Sequence, residues 1–168
     1  MAATGTATDH ESVARAVLER RIAMREHSRA ELAQALAAKD VPRTVAETLL
    51  DRFTEVGLID DERFARAWVE SRQRSKGAAR AVLAVELRRK GIDEELVGDV
   101  LADLDPEDER AAAHRLVRRK LRSVQGLDQS AQIRRLAGML ARKGYPAQVA
   151  FDVVRAELEA EREPLDSM

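Results

Sequence analysis

Three adjacent acids, Asp60, Asp61 and Glu62, and three histidines, His10, His27 and His114, are the side chains of this 168-residue chain best suited to chemistry. Adjacent acids invite comparison with a metal centre, but a two-metal site needs ligands that converge from separate elements. Acids at the start of a helix instead cap it and interact with its positive dipole end. The histidines are scattered and lack metal-ligand spacing. No serine sits in a strand–turn–helix elbow, and no glycine-rich loop could cradle phosphates. The chain has no cysteine, which excludes disulfides, thiolate zinc sites and cysteine nucleophiles. These features predict a non-enzymatic protein with no metal and no cofactor.

The remaining candidate chemistry is electrostatic. A net charge of -1 hides a segregation. Between Arg110 and Gly144 lie Arg115, Arg118, Arg119, Lys120, Arg122, Arg134, Arg135, Arg142 and Lys143, against one acid, Asp128. After Tyr145 the sign reverses, with Asp152, Glu157, Glu159, Glu161 and Glu163 facing Arg155 and Arg162. A second basic group comprises Arg72, Arg74, Lys76, Arg80, Arg88, Arg89 and Lys90. Basic faces of this kind attract phosphates or an acidic protein groove. Phe64 and Trp68, four apart on one helix face, are expected to pack in the core, and with so few aromatics a base-stacking platform is not expected.

These charges must be carried by helices. Ala, Leu, Arg and Glu dominate, Gly and Pro are scarce, and no alternating run of β-branched residues occurs. Three stretches repeat a pattern of two leucines four apart followed by Lys: Leu32/Leu36/Lys39, Leu83/Leu87/Lys90 and Leu136/Leu140/Lys143. Leu50, Leu101 and Val154 each lie 11 residues past that Lys, and the copies are offset by 51 and 53 residues. Gly91 and Gly144 suit the left-handed position that ends a helix, and Asp40 replaces Gly in the first copy. Ser28 with Glu31 forms a capping box, Asp105 is an N-cap, and Pro42, Pro106 and Pro146 suit the first helical position.

The predicted fold is all-α, with three tandem three-helix repeats in an elongated, curved array. Residues 1–11 form a disordered leader, 12–57 the first repeat, 58–104 the second, 105–162 the third, and 163–168 a flexible tail. Helices are expected over 12–26, 28–39, 42–56, 60–74, 78–90, 93–103, 106–124, 128–143 and 146–162. With no secretory signal and no apolar stretch of roughly 20 residues, a cytoplasmic monomer is expected. On a helical wheel over 106–124, Leu116, Val117, Leu121 and Val124 form a core face and Arg115, Arg118, Arg119 and Arg122 a basic face, with Lys120 toward the apolar side. Over 128–143, Arg134, Arg135 and Arg142 oppose Ile133, Leu136, Ala137, Met139 and Leu140.

The run GLIDDERFARAWVESRQRSKG, Gly57 to Gly77, followed by LAVELRRKGI, Leu83 to Ile92, resembles the signature of the RecX regulatory proteins. The resemblance extends over about Ser12 to Arg162 and is densest in the second repeat. It implies a regulator that binds the RecA recombinase and its filament on single-stranded DNA and modulates, usually inhibits, its recombination, ATPase and coprotease activities. Asp60, Asp61 and Phe64 would then start the second repeat, and Leu83, Leu87, Lys90, Gly91 and Ile92 would complete it. On charge alone, the candidate contacts are Arg72, Lys76, Arg88, Arg89, Arg115, Arg118, Arg119, Arg122, Arg134 and Arg135. A competing reading is a DNA-binding module of helix-turn-helix type that acts without RecA.

Overall fold

The computed structural model describes the backbone of residues 3–163 and the side chains of residues 9–163. The described chain is all-helical, with nine α-helices and no strand. They are α1 (Ala3–Met24), α2 (Arg29–Ala37), α3 (Arg43–Glu55), α4 (Asp61–Lys76), α5 (Arg80–Arg89), α6 (Glu94–Ala102), α7 (Pro106–Lys120), α8 (Gln129–Arg142) and α9 (Ala147–Arg162). A 3-10 turn, Leu121–Val124, follows α7. In sequence they group as three sets of three.

The leucine register is a core register. Leu32, Leu36, Leu83, Leu87, Leu136 and Leu140 are all buried, as are Leu50, Leu101 and Val154. The second helix of each repeat ends in one and the same way. Asp40, Gly91 and Gly144 adopt φ of 57°, 76° and 95°. Their N–H groups donate to Ala37, Arg88 and Ala141. The next N–H groups, of Val41, Ile92 and Tyr145, donate five residues back to Leu36, Leu87 and Leu140. This is a Schellman motif, which satisfies the last carbonyls of a helix. Asp40 therefore takes the glycine's conformation, and Asp is one of the few side chains that tolerates it.

Helix starts differ from expectation in detail. Ser28 and Glu31 form the capping box, with the Ser28 hydroxyl accepting from the Glu31 N–H. Asp105 and Asp128 cap α7 and α8. Only Pro106 occupies a first helical position; Pro42 and Pro146 are N-caps with ψ of 138° and 148°. The chain is already helical from Ala3, within the stretch 1–11 that was expected as a disordered leader. Residue 163 is extended backbone beyond α9; the remainder of the expected tail, 164–168, lies outside the described residues.

The described residues form two compact units. One runs to Trp68 and includes Glu86–Val100; the other comprises Val69–Val85 and the chain from Leu101 onward. In the first unit, Ala14, Leu18, Leu32, Leu36, Leu49, Leu50 and Phe53 form a core under α1, α2 and α3. There Ser28 donates its hydroxyl to the Lys90 carbonyl at 2.6 Å, Lys90 Nζ donates to Glu31 at 2.7 Å, and the Asp61 carboxylate accepts the Arg29 N–H at 2.8 Å. In the second unit, Leu116, Val117, Leu136, Leu140, Val153 and Val154 form the core of α7, α8 and α9. There the Ala79 N–H donates to the Lys143 carbonyl at 2.8 Å, the Glu109 carboxylate accepts the Arg80 N–H at 2.7 Å, and the Tyr145 hydroxyl donates to Gly77 at 2.9 Å. Each unit thus uses the same device. The start of one repeat's second helix is capped by an acid and a helix end from the next repeat.

The two glycines sit where this contact is tightest. A Cβ on Gly91 would lie 2.3 Å from Ala30 Cβ, and one on Gly144 would lie 2.8 Å from the Val82 nitrogen. Gly91→Ala and Gly144→Ala are each expected to cost about 2–4 kcal/mol, since left-handed backbone costs an L-residue about 1–2 kcal/mol and overpacking about 1–3 more. Asp40→Gly should leave stability unchanged or slightly raised. Chemical denaturation of the three variants checks this, and a Gly91→Ala chain as stable as the parent would remove the close-approach argument.

Candidate partner-binding surface

The candidate acids serve the scaffold. Asp60 accepts the Arg63 N–H at 3.0 Å as the cap of α4, Asp61 caps α2, and Glu62 pairs with Arg66. Phe64 is buried, and its ring lies 6.0 Å from that of Trp68 at 23°. The Trp68 indole N–H donates to Glu86 at 2.9 Å, and Lys90 Nζ sits 4.8 Å above the ring. This aromatic pair is core packing with a cation on its face. His27 is buried, with Nδ1 2.9 Å from the Arg25 carbonyl.

The ten candidate basic residues separate into groups. Arg88 and Arg89 belong to the first unit and the other eight to the second. Arg88 is clamped by Glu94, with contacts of 2.6, 2.8 and 3.1 Å. Its guanidinium is held above the ordinary arginine range by those hydrogen bonds. Arg118 donates through Nε to both Glu157 oxygens at 3.0 Å, and its Nη2 lies 2.9 Å from one of them. Arg72 is half-buried in α4, with Lys76 exposed one turn on. Arg115, Arg119, Arg122, Arg134 and Arg135 are exposed. Of these, Arg119, Arg122, Arg134 and Arg135 make no ion pair or hydrogen bond among the described residues.

Two of these come together with residues not on the candidate list. Two adjoining grooves, of about 350 and 260 Å³, share Arg135 and Arg142 as walls. The first adds Arg134, Leu127 and Gly138; the second adds Lys120, Ser123 and Met139. No acid lines either groove. Arg135 and Arg142 therefore stand between two grooves beside α8, with Arg134 lining one and Lys120 the other.

Lys120, expected to lie toward the apolar side with its ammonium reaching water, is exposed and lines the second groove together with Val124, Leu136 and Met139. The 3-10 turn that follows advances about 120° per residue instead of 100°, so a single wheel drawn through residue 124 does not hold beyond Lys120. The Ser123 hydroxyl fixes the turn by donating to the Lys120 carbonyl at 2.6 Å. The signal was present in Ser123 and Gly126. Arg142 was legible too, since Arg135, Met139 and Arg142 follow i, i+4, i+7 spacing.

Glu157 is the one acid buried beside the basic helix α7, and its side chain is 8% exposed. Burial opposes its charge, but hydrogen bonds from Arg118 and His114 outweigh that and hold the carboxyl below its ordinary value. His114 Nδ1 lies 2.7 Å from the carboxylate, which only accepts, so this nitrogen carries the proton. Burial raises the Tyr145 hydroxyl to about 12, with Glu109 adding to the rise and Arg115 opposing it. Tyr145 thus stays a donor to Gly77.

The architecture is that of a helical-repeat protein, with no strand among the described residues. Comparison with known proteins makes the assignment specific. Family models described as the first, second and third three-helix domains of RecX match residues 14–53, 60–101 and 107–154. The regulatory protein RecX of Streptomyces coelicolor is 48% identical over 155 residues, covering 92% of this chain and 82% of that relative. The protein of the same name from Mycolicibacterium smegmatis is 49% identical over 158 residues, covering 91% and 84%. The crystal structure of RecX from Lactobacillus salivarius superposes with a TM-score of 0.82 at 17% identity, covering 91% of this chain and 99% of that one. The chain belongs to the RecX family of regulatory proteins. Among the described residues no helix is long and apolar enough to cross a membrane.

Because the folded Glu157 carboxyl titrates below its unfolded value, its contribution to stability is present above about pH 4.5 and is lost as pH falls through the folded value. Glu157→Gln should cost about 1–2 kcal/mol at neutral pH and flatten the stability profile below pH 5. Urea midpoints of both proteins from neutral pH to pH 3 measure this, and parallel profiles would mean that the carboxylate contributes nothing.

Proposed function

We propose that this protein is a non-enzymatic regulator that binds the RecA recombinase filament on single-stranded DNA and inhibits its strand-exchange, ATPase and coprotease activities. The observation that carries this reading is the pair of adjoining acid-free grooves walled by Arg135 and Arg142, with Arg134 in one and Lys120 in the other, in a chain of the RecX family. Arg119 and Arg122, in the same compact unit, are also exposed and without internal partners among the described residues. Arg88 and Arg118 have acids of their own and are expected to contribute less. Arg72, Lys76, Arg89 and Arg115 remain secondary candidates. Family relatives carry the name of regulatory proteins, and the acids of this chain cap helices, which supports action by binding. No membrane partner is proposed.

The test is inhibition of the cognate recombinase's DNA-dependent ATPase, titrated with this protein at low and high salt. Lys120→Glu, Arg135→Glu and Arg142→Glu combined should weaken inhibition about tenfold or more and reduce its salt dependence. Arg88→Glu should have a smaller effect. Unchanged inhibition by a folded triple variant would exclude these grooves. Tight, sequence-selective binding to naked DNA without RecA would replace this reading with the helix-turn-helix one.

A further inference from the structure

The face that receives a neighbouring helix start in the second and third repeats is uncovered in the first. Val17, Ala35 and Lys39 each stand 51 residues before Trp68, Glu86 and Lys90. In the second repeat, the Lys90 carbonyl accepts the Ser28 hydroxyl and Lys90 Nζ reaches Glu31, both in the first turn region of α2. In the third, the Lys143 carbonyl accepts the Ala79 N–H just before α5. At Lys39 neither partner exists. No described residue donates to its carbonyl, and its ammonium meets no acid.

The vacancy is a groove rather than a flat surface. Between α1 and α2 lies a cavity of about 500 Å³ whose apolar wall includes Val17, Met24 and Ala35 and whose rim carries Arg20, Arg21 and Lys39. Trp68 occupies the position in the second repeat that the smaller Val17 holds here. Met24 is 76% exposed, the most exposed of the large apolar side chains among the described residues. Arg20 and Arg21, like Lys39, have no internal partner among the described residues. The groove lies wholly within the first compact unit.

We propose that this groove docks the N-terminal turn of an acidic helix from a partner protein, in the manner that Lys90 receives Ser28 and Glu31. Charge and hydrogen-bond polarity both select that occupant. A helix start offers unpaired N–H groups for the Lys39 carbonyl, and a first-turn Glu or Asp matches Lys39, Arg20 and Arg21. A nucleic-acid backbone offers phosphate acceptors but no donor for the carbonyl, and it has no apolar side chain for Met24. The proposal does not depend on the RecA reading, because it uses none of the groove residues beside α8.

A helix-stabilised peptide of sequence SRAELAQALAA, the chain's own Ser28–Ala38, serves as probe because it carries the features that the second repeat receives. Titrated into the isotope-labelled full chain, it should shift the amide resonances of Val17, Met24 and Lys39. Lys39→Glu in the protein, or Glu31→Gln in the peptide, should each weaken binding about tenfold. The charge-swapped pair, Lys39→Glu with the peptide's Glu31→Lys, should restore it. Lys39 and Met24 are exposed, so circular dichroism should confirm that Lys39→Glu and Met24→Glu fold. Equal binding of a scrambled peptide of the same composition would overturn the proposal. So would peptide shifts confined to other faces, displacement of the peptide by an oligothymidylate, or self-association of the full chain that Met24→Glu abolishes.

Discussion

The rest of the structure depends on a single backbone conformation, the left-handed residue that follows the second helix of each repeat. It releases the chain from α2, α5 and α8 with the last carbonyls already satisfied, and it aims the third helix back across the first two. Its residue type follows the space around it. Gly91 and Gly144 lie against Ala30 and Val82 so closely that a Cβ would collide. Asp40 has the same φ sign but no such contact among its hydrogen-bonded neighbours, and a side chain is accommodated. Glycine here answers two separate demands, a positive φ and a close backbone approach, and Asp40 shows that the first alone does not require it.

That approach brings together groups that would otherwise be unsatisfied. The first N–H groups of any helix lack intrahelical partners. In α2 the Arg29 N–H is taken by Asp61, and in α5 the Arg80 N–H is taken by Glu109. Both acids come from the first helix of the following repeat. Repeat contacts in this chain are therefore helix caps as well as apolar packing, and α8 departs from the pattern by starting under its own Asp128. The boundaries of the two compact units fall inside α4, α5 and α6. A repeat in sequence is not the compact unit here, because many of its satisfying contacts come from the neighbouring copy.

This explains what sequence reading could and could not reach. The leucine spacing, the helix ends at Gly91 and Gly144 and the caps at Ser28 and Asp105 are local patterns, legible within one turn or two. So was the all-α, three-repeat architecture. The destinations of charges are not local. Glu157 lies 39 residues from Arg118, and nothing in either helix alone pairs them. Asp61 looks like a cap for α4 but serves α2, 32 residues away. The wheel over 106–124 assumed one helical pitch, whereas the chain changes to a tighter one after Lys120. The start of α1 was missed because propensity over Ala and Thr residues is weak without a cap to mark it.

The distribution of acids also accounts for how a chain of net charge -1 presents basic grooves. Many of its acids are engaged internally: Asp61, Asp105, Glu109 and Asp128 on helix starts, Glu31 on Lys90, Glu94 on Arg88 and Glu157 on Arg118. The cations left without partners include Arg134, Arg135 and Arg142 on α8, which line adjoining grooves. Because the total charge is near zero, there is little long-range field to draw in any polyanion, and the grooves act over roughly a Debye length of about 8–10 Å. Recognition at such a surface depends on geometry at contact more than on attraction from afar.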